Sequence, residues 1–224
     1  MQPLISRREL LRRASLAGAV AIVPGGGELL SEASAPSAAL QTAASREPYE
    51  HLTALEADVL EAMVARIIPG DANGPGAREA RAARYIDRAL GGALASSRPA
   101  YGVGLAALDR FSQSARGRAF TSLPPAEQDA VLSDVETGNV PGFADAPAFF
   151  ALVRAHTLQG TFCDPYYGGN AGFVGWDLLG YPGVRTFVSA DEQRLGADVP
   201  ANHKSAYDYD MFTKAGTGTT PGER

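Results

Sequence analysis

Few residues in this chain are of types that could carry chemistry. Cys163 is the only cysteine, Asp164 follows it, and the three histidines are His51, His156 and His203. Imidazole, thiolate and carboxylate are the usual transition-metal ligands, so His156, Cys163, Asp164 and His203 form one conceivable metal set. Cys163 with His156 as base a short way upstream is a conceivable nucleophile pair. Neither set has a motif behind it. No H-E-x-x-H or C-x-x-C-H spacing occurs, and nothing in the sequence marks a third group to orient the base or donors for an oxyanion. His156 also falls on an apolar helical stripe, which suits a hydrogen-bonded core histidine better than a ligand. Gly102-Val103-Gly104-Leu105-Ala106-Ala107 matches G-x-G-x-x-A but follows SSRPAY, not a strand, so small residues for close helix packing explain it better than a dinucleotide.

The densest candidate is TFCDPYYGGNAGFVGWDLLGYPG, residues 161–183, where Cys163 and the only tryptophan, Trp176, stand among six glycines and six aromatic residues if Phe162 is counted with Tyr166, Tyr167, Phe173, Trp176 and Tyr181. Asp164-Pro165 favours a turn, Gly168-Gly169 permits backbone angles barred to other residues, and Asn170 can bond nearby backbone, so DPYYGGN reads as a sharply folded loop. So many rings cannot all pack under so short a segment without help from the helices or from another chain. Tyrosine and tryptophan are frequent interface anchors. Two readings stay open here: Trp176, Phe173 and Tyr181 cap a helical core, or the rings face a partner.

The elements that must position this segment are helical. Leu52, Leu55, Val59, Met63 and Ile67 recur at helical spacing, with Thr53 and Glu56 as a capping box and Pro69-Gly70 as the stop. A second helix is expected through AREARAARYIDRAL, with Tyr85, Ile86, Ala89 and Leu90 inward. A third carries Tyr101, Leu105, Leu108 and Phe111. A fourth runs through PPAEQDAVLSDVETGN, with Pro124-Pro125 at its start and Gly138-Asn139 as C-terminal cap. A fifth, from about Ala146 to Gln159, presents Phe149, Leu152, Val153 and His156. No stretch shows sustained period-two alternation, so the class is all-α: about five helices, then a long Gly- and aromatic-rich loop region from Gly160 onward. The last residues, HKSAYDYDMFTKAGTGTTPGER, read as a disordered tail in isolation, one whose Tyr207, Tyr209, Met211 and Phe212 suit docking in a partner's groove.

At the other end, MQPLISRRELLRRASLAGAVAIVPGGG places Arg7 and Arg8 in S-R-R-x-L-L ahead of a short apolar run from Ala14 to Val23. That run is within the roughly 7–15 residues of a signal-peptide core and too short for a membrane span. With Ala33-Ser34-Ala35 as an A-x-A cleavage site, residues 1–35 read as a twin-arginine export signal. Residues 36–48 read as linker, and 49–224 as one helical domain with an extended C-terminal tail. The full chain has a net charge of −5, and loss of a leader with four arginines and three glutamates makes it more acidic, which argues against nucleic acid as a partner. An odd cysteine in an exported protein points to an intermolecular disulfide or a buried free thiol. Twin-arginine export carries folded proteins, commonly ones loaded with a cofactor, yet this chain shows no cofactor motif.

DPYYGGN (164–170) followed by GWDLLGYPG (175–183), with LEADVLEAMVARIIPGD and GPGA upstream, resembles the subunit 3 family of gluconate 2-dehydrogenase, the small subunit of flavin-dependent dehydrogenases acting on gluconate, glucose, fructose or sorbitol. The resemblance covers roughly residues 50–190. It implies a noncatalytic accessory subunit in the periplasm, attached to the inner membrane through its complex. The implied partners are a flavoprotein of the glucose-methanol-choline (GMC) type that holds the FAD, a multihaem cytochrome c, and the twin-arginine translocase that exports the flavoprotein on this chain's signal. No cofactor and no catalytic residue are expected in this chain. Partner-binding candidates are Cys163, Asp164, Tyr166, Tyr167, Asn170, Phe173, Trp176 and Tyr181, with Cys163 also a candidate for an interchain disulfide. The rival expectation is an exported enzyme or metal-binding protein that uses Cys163 and His156.

Overall fold

The computed structural model describes residues 47–72 and 74–213. The export signal read at 1–35, with Arg7 and Arg8, and the linker up to Arg46 lie outside the described residues. Helix α1 spans Ala54–Ile67, α2 Ala82–Leu90, α3 Arg98–Arg116, α4 Pro125–Thr137 and α5 Ala146–Phe162, followed by two short helices, α6 (Val174–Leu179) and α7 (Asp210–Thr213). No strand occurs among the described residues, so the chain is all-α. No described helix is long and apolar enough to cross a membrane.

Local chemistry sets the helix ends. Thr53 Oγ1 accepts from the Glu56 amide at 3.3 Å while the Glu56 carboxylate accepts from the Thr53 amide at 2.8 Å, the reciprocal cap expected from T-x-x-E. Gly138, left-handed at φ 80, ends α4. Helix α2 starts later than its composition suggests. The segment before it is stapled across the end of α1 by the Ala77 amide donating to Ile68 O (2.9 Å), and Arg81 adopts a left-handed turn at φ 57 before α2 begins.

Five helices enclose one apolar core. Leu60, Met63 and Val64 of α1, Ile86 of α2, Tyr101, Leu105 and Leu108 of α3, Val131 and Val135 of α4 and Val153 of α5 are all essentially inaccessible to water. Gly104 explains the second glycine of the pair in α3: a Cβ there would lie 2.2 Å from the Phe149 ring, so the helix axes approach only because the residue is small. The G-x-G-x-x-A run is thus helix interior. Two buried carboxylates pin the loops. Asp87 accepts the amides of Glu50 (2.7 Å), His51 and Leu52 (both 2.9 Å), and Asp109 accepts the amide of Phe120 at 2.8 Å. Glu47 and Pro48, read from sequence as linker, are held on this domain by Arg84, which pairs with the Glu47 carboxylate at 2.7 Å and donates to Pro48 O.

Candidate functional site

A helix end leaves its last carbonyls without partners, and a buried end must find donors elsewhere. Helix α5 finds them in the Gly- and aromatic-rich segment. Gly160 O accepts from the Asn170 amide (2.8 Å), Phe162 O from the Trp176 indole (3.1 Å) and Cys163 O from the Asn170 side chain (2.8 Å). The other end of the Asn170 amide group accepts from the Gly175 amide at 2.7 Å, so this fully buried side chain ties the end of α5 to the start of α6. The chain must pass very close to make these bonds. A Cβ at position 169 would sit 2.0 Å from Gly160 O and one at position 175 would sit 1.9 Å from Thr161 O, so glycine is required at both. The motif is therefore a cap built on the C-terminus of α5.

The C-terminal residues close the cap from outside. Asp164 Oδ1 accepts from Ser205 Oγ at 2.6 Å and from the Tyr166 amide at 3.0 Å, and Oδ2 accepts from the Ala206 amide at 2.9 Å. The Tyr207 ring stacks on Tyr166 with centroids 3.5 Å apart, and its hydroxyl lies 3.0 Å from that of Tyr167. His203 stacks on Phe173 and pairs with Asp177 at 2.7 Å. Residues 203–213, expected to be disordered in isolation and suited to a partner's groove, are thus folded onto the same chain. The signal in the sequence was Ser205 followed by Asp208, a capping box around a short turn, with Asp164 as the distant acceptor that no local pattern reveals.

The proposed contact residues divide by exposure. Asn170 is wholly buried and Trp176 nearly so, Cys163, Asp164 and Phe173 are half-buried, and Tyr166, Tyr167 and Tyr181 are exposed. The exposed rings have company in Leu178, Leu179, Phe187, Met211 and Phe212. Among the described residues, the large apolar side chains exposed to water before Leu158 are Leu55 and Val103. Exposed large apolar side chains are thus concentrated in the cap and in the residues that follow it in the chain.

His156 and Cys163, the residues of the nucleophile and metal readings, make other contacts. His156 Nδ1 lies 3.0 Å from the Tyr101 hydroxyl in the core, with the two rings stacked, and burial holds the imidazole below its ordinary pKa. The Cys163 thiol faces Gly160 O at 3.6 Å, and burial pushes it up to about 11, the reverse of an activated thiolate. Among the described residues no three His, Cys, Asp or Glu side chains converge as a metal site.

The domain is all-helical, with Cys163 and Asp164 engaged in the cap and many of its exposed apolar side chains on the cap or in the residues after it. Residues 54–183 match the family described as gluconate 2-dehydrogenase subunit 3, and the chain belongs to that family. The matched span runs from the first residue of α1 to the last glycine of the cap motif. No curated protein and no solved structure matches the chain.

Proposed function

We propose that this chain is the noncatalytic small subunit of a periplasmic flavin-dependent sugar dehydrogenase complex, where it helps mature the catalytic flavoprotein and carries it through twin-arginine export. Family membership supports a place in a dehydrogenase complex. The observation that carries the finer reading is the concentration of exposed rings and aliphatic side chains in the cap, Tyr166, Tyr167, Leu178, Leu179 and Tyr181, with Phe187 following shortly after in the chain. Surfaces of that character mark protein association. The partner is a GMC-type flavoprotein that holds the FAD, with a multihaem cytochrome c as third component, and the complex sits at the periplasmic face of the inner membrane. Arg7 and Arg8 address the assembled pair to the twin-arginine translocase. This accounts for a folded-export signal on a chain without a cofactor motif.

Purification of the chain from its native periplasm and membranes tests the reading. A flavin spectrum with a stoichiometric second chain of flavoprotein size is the expected result, and changing Arg7 and Arg8 to lysine should strand that flavin activity in the cytoplasm. A colourless, solitary, well-folded protein with bound metal or a reactive thiol would overturn it in favour of an enzyme using Cys163 and His156. Non-reducing electrophoresis of the same material addresses the interchain disulfide at Cys163: subunits that separate without reductant carry no such bridge.

A further inference from the structure

Beside the cap, α2 and α5 leave an open groove of about 660 Å³, wide enough for more than one apolar side chain. Its walls are mainly Ala89 and Ala93 on one side and Leu158 and Phe162 on the other, with the Cys163 thiol and Tyr167 at the cap end. The two alanines leave the space that larger residues would fill. Resting on the reading of this chain as a dehydrogenase subunit, we infer that this groove receives an apolar side chain of the catalytic flavoprotein, presented next to a carboxylate that pairs with Arg88.

Arg88 argues for the acidic neighbour. Its guanidinium lines the groove and is 3.7 Å from the Glu50 carboxylate and 3.9 Å from that of Glu47, both exposed, and these distances exceed those of true hydrogen bonds. The charge is therefore loosely held and open to a better-placed acid. The cap lies against it: a Cβ at Gly168 would sit 2.6 Å from Nη1, so the DPYYGGN loop packs directly on the guanidinium. Continuity argues for the flavoprotein as occupant. Asp164 and Tyr167 line the groove and also belong to the cap, so a partner lying across Tyr166 and Tyr167 reaches the groove without a break. Leu158, exposed on the wall, extends the apolar surface in the same direction.

The test uses the full chain alone and in its purified complex, after mild reduction. Alkylation of Cys163 by N-ethylmaleimide at pH 8.5 should be at least tenfold slower in the complex. Ala93→Phe, a change in an exposed turn that fills the groove, and Arg88→Glu should each weaken association with the flavoprotein tenfold or more, with circular dichroism of the free variants unchanged. Arg88→Lys should recover part of the loss. If the complex forms, Cys163 reacts equally fast in both states and both variants bind like the parent, the groove is not the docking site and the inference fails while the subunit reading stands. A free chain that self-associates and protects Cys163 by doing so would make a second copy the occupant and also overturn it. Failure of the parent chain to bind any flavoprotein would sink both readings together.

Discussion

Leu60 in α1 and Asn170 in the cap are both fully buried, but Leu60 lies among the apolar side chains of the core whereas Asn170 reaches backbone groups at Cys163, Gly175 and Trp176. The two regions resist water by different means. Up to α5, stability comes from apolar area removed from solvent, which is diffuse and shared over many side chains. Beyond α5, apolar packing is centred on Trp176 with Phe173 and Tyr181, and much of the stability comes from a few polar pins and from glycines that let backbone touch backbone. A region held by area loosens as a whole, while a region held by pins opens when one is removed. The cap can therefore carry exposed rings without drawing on the core.

The unique tryptophan makes this difference measurable, because Trp176 fluorescence reports the cap and far-ultraviolet circular dichroism reports the helices. The largest effect is expected from Leu60→Ala, which should cost about 2–5 kcal/mol of global stability and lower the urea midpoint of both signals together. Asn170→Ala should be next. It leaves buried groups without partners, at about 1–3 kcal/mol, and places alanine in a left-handed conformation at φ 44 that costs about 1 kcal/mol more. Its fluorescence transition should move to lower urea than its circular dichroism transition. Coincident transitions in this variant would mean that cap and core open as one, and the comparison would fail. Asn170→Gly should restore the backbone part alone.

A smaller effect is expected from Asp164→Ala, because Asp164 holds residues 205 and 206 but is only half-buried. Loss of those bonds should release residues 203–213, raising amide exchange at Ala206 and Tyr207 by tenfold or more while leaving the Trp176 transition in place. A shift of that transition would show that the C-terminal strap and the Asn170 pins are one unit.

How much of this was legible beforehand follows from the range of the interactions. The capping box at Thr53 and Glu56, the glycine stop of α4 and most of the apolar stripes read for α1, α2, α3 and α5 are local, and local pattern sufficed for them; Leu55, read on the inward face of α1, is instead exposed, because helical spacing alone does not fix where the buried face ends. The late start of α2 was not legible, since it depends on Ile68 O taking the Ala77 amide across the end of α1. In the site, DPYYGGN could be read as a tight loop, yet its purpose as a cap on α5 depends on contacts between Asn170 and Cys163 and between Gly175 and Thr161, and α6 went unseen inside a glycine-rich stretch. The strap is the clearest case: Ser205 and Asp164 are far apart in sequence, and each alone looks like an ordinary turn residue.

Acid should separate the two regions most finely. His156 lies in α5, buried against Tyr101, whose hydroxyl burial keeps protonated and able to donate to Nδ1. Burial holds the native imidazole neutral below the ordinary histidine pKa of about 6.5, so as the pH falls through that value the unfolded chain takes up a proton that the native state resists. The stability His156 contributes is thus present above about pH 6.5 and lost on acidification toward its lower native pKa. Global stability by circular dichroism should decline from pH 7 to pH 5, and His156→Gln should flatten that slope at the expense of a lower starting value. Asn170 does not titrate, so the gap between parent and Asn170→Ala in the Trp176 transition should stay constant over the same range. A gap that narrows in acid would place His156, at the junction of α5 with the core, in control of the cap as well.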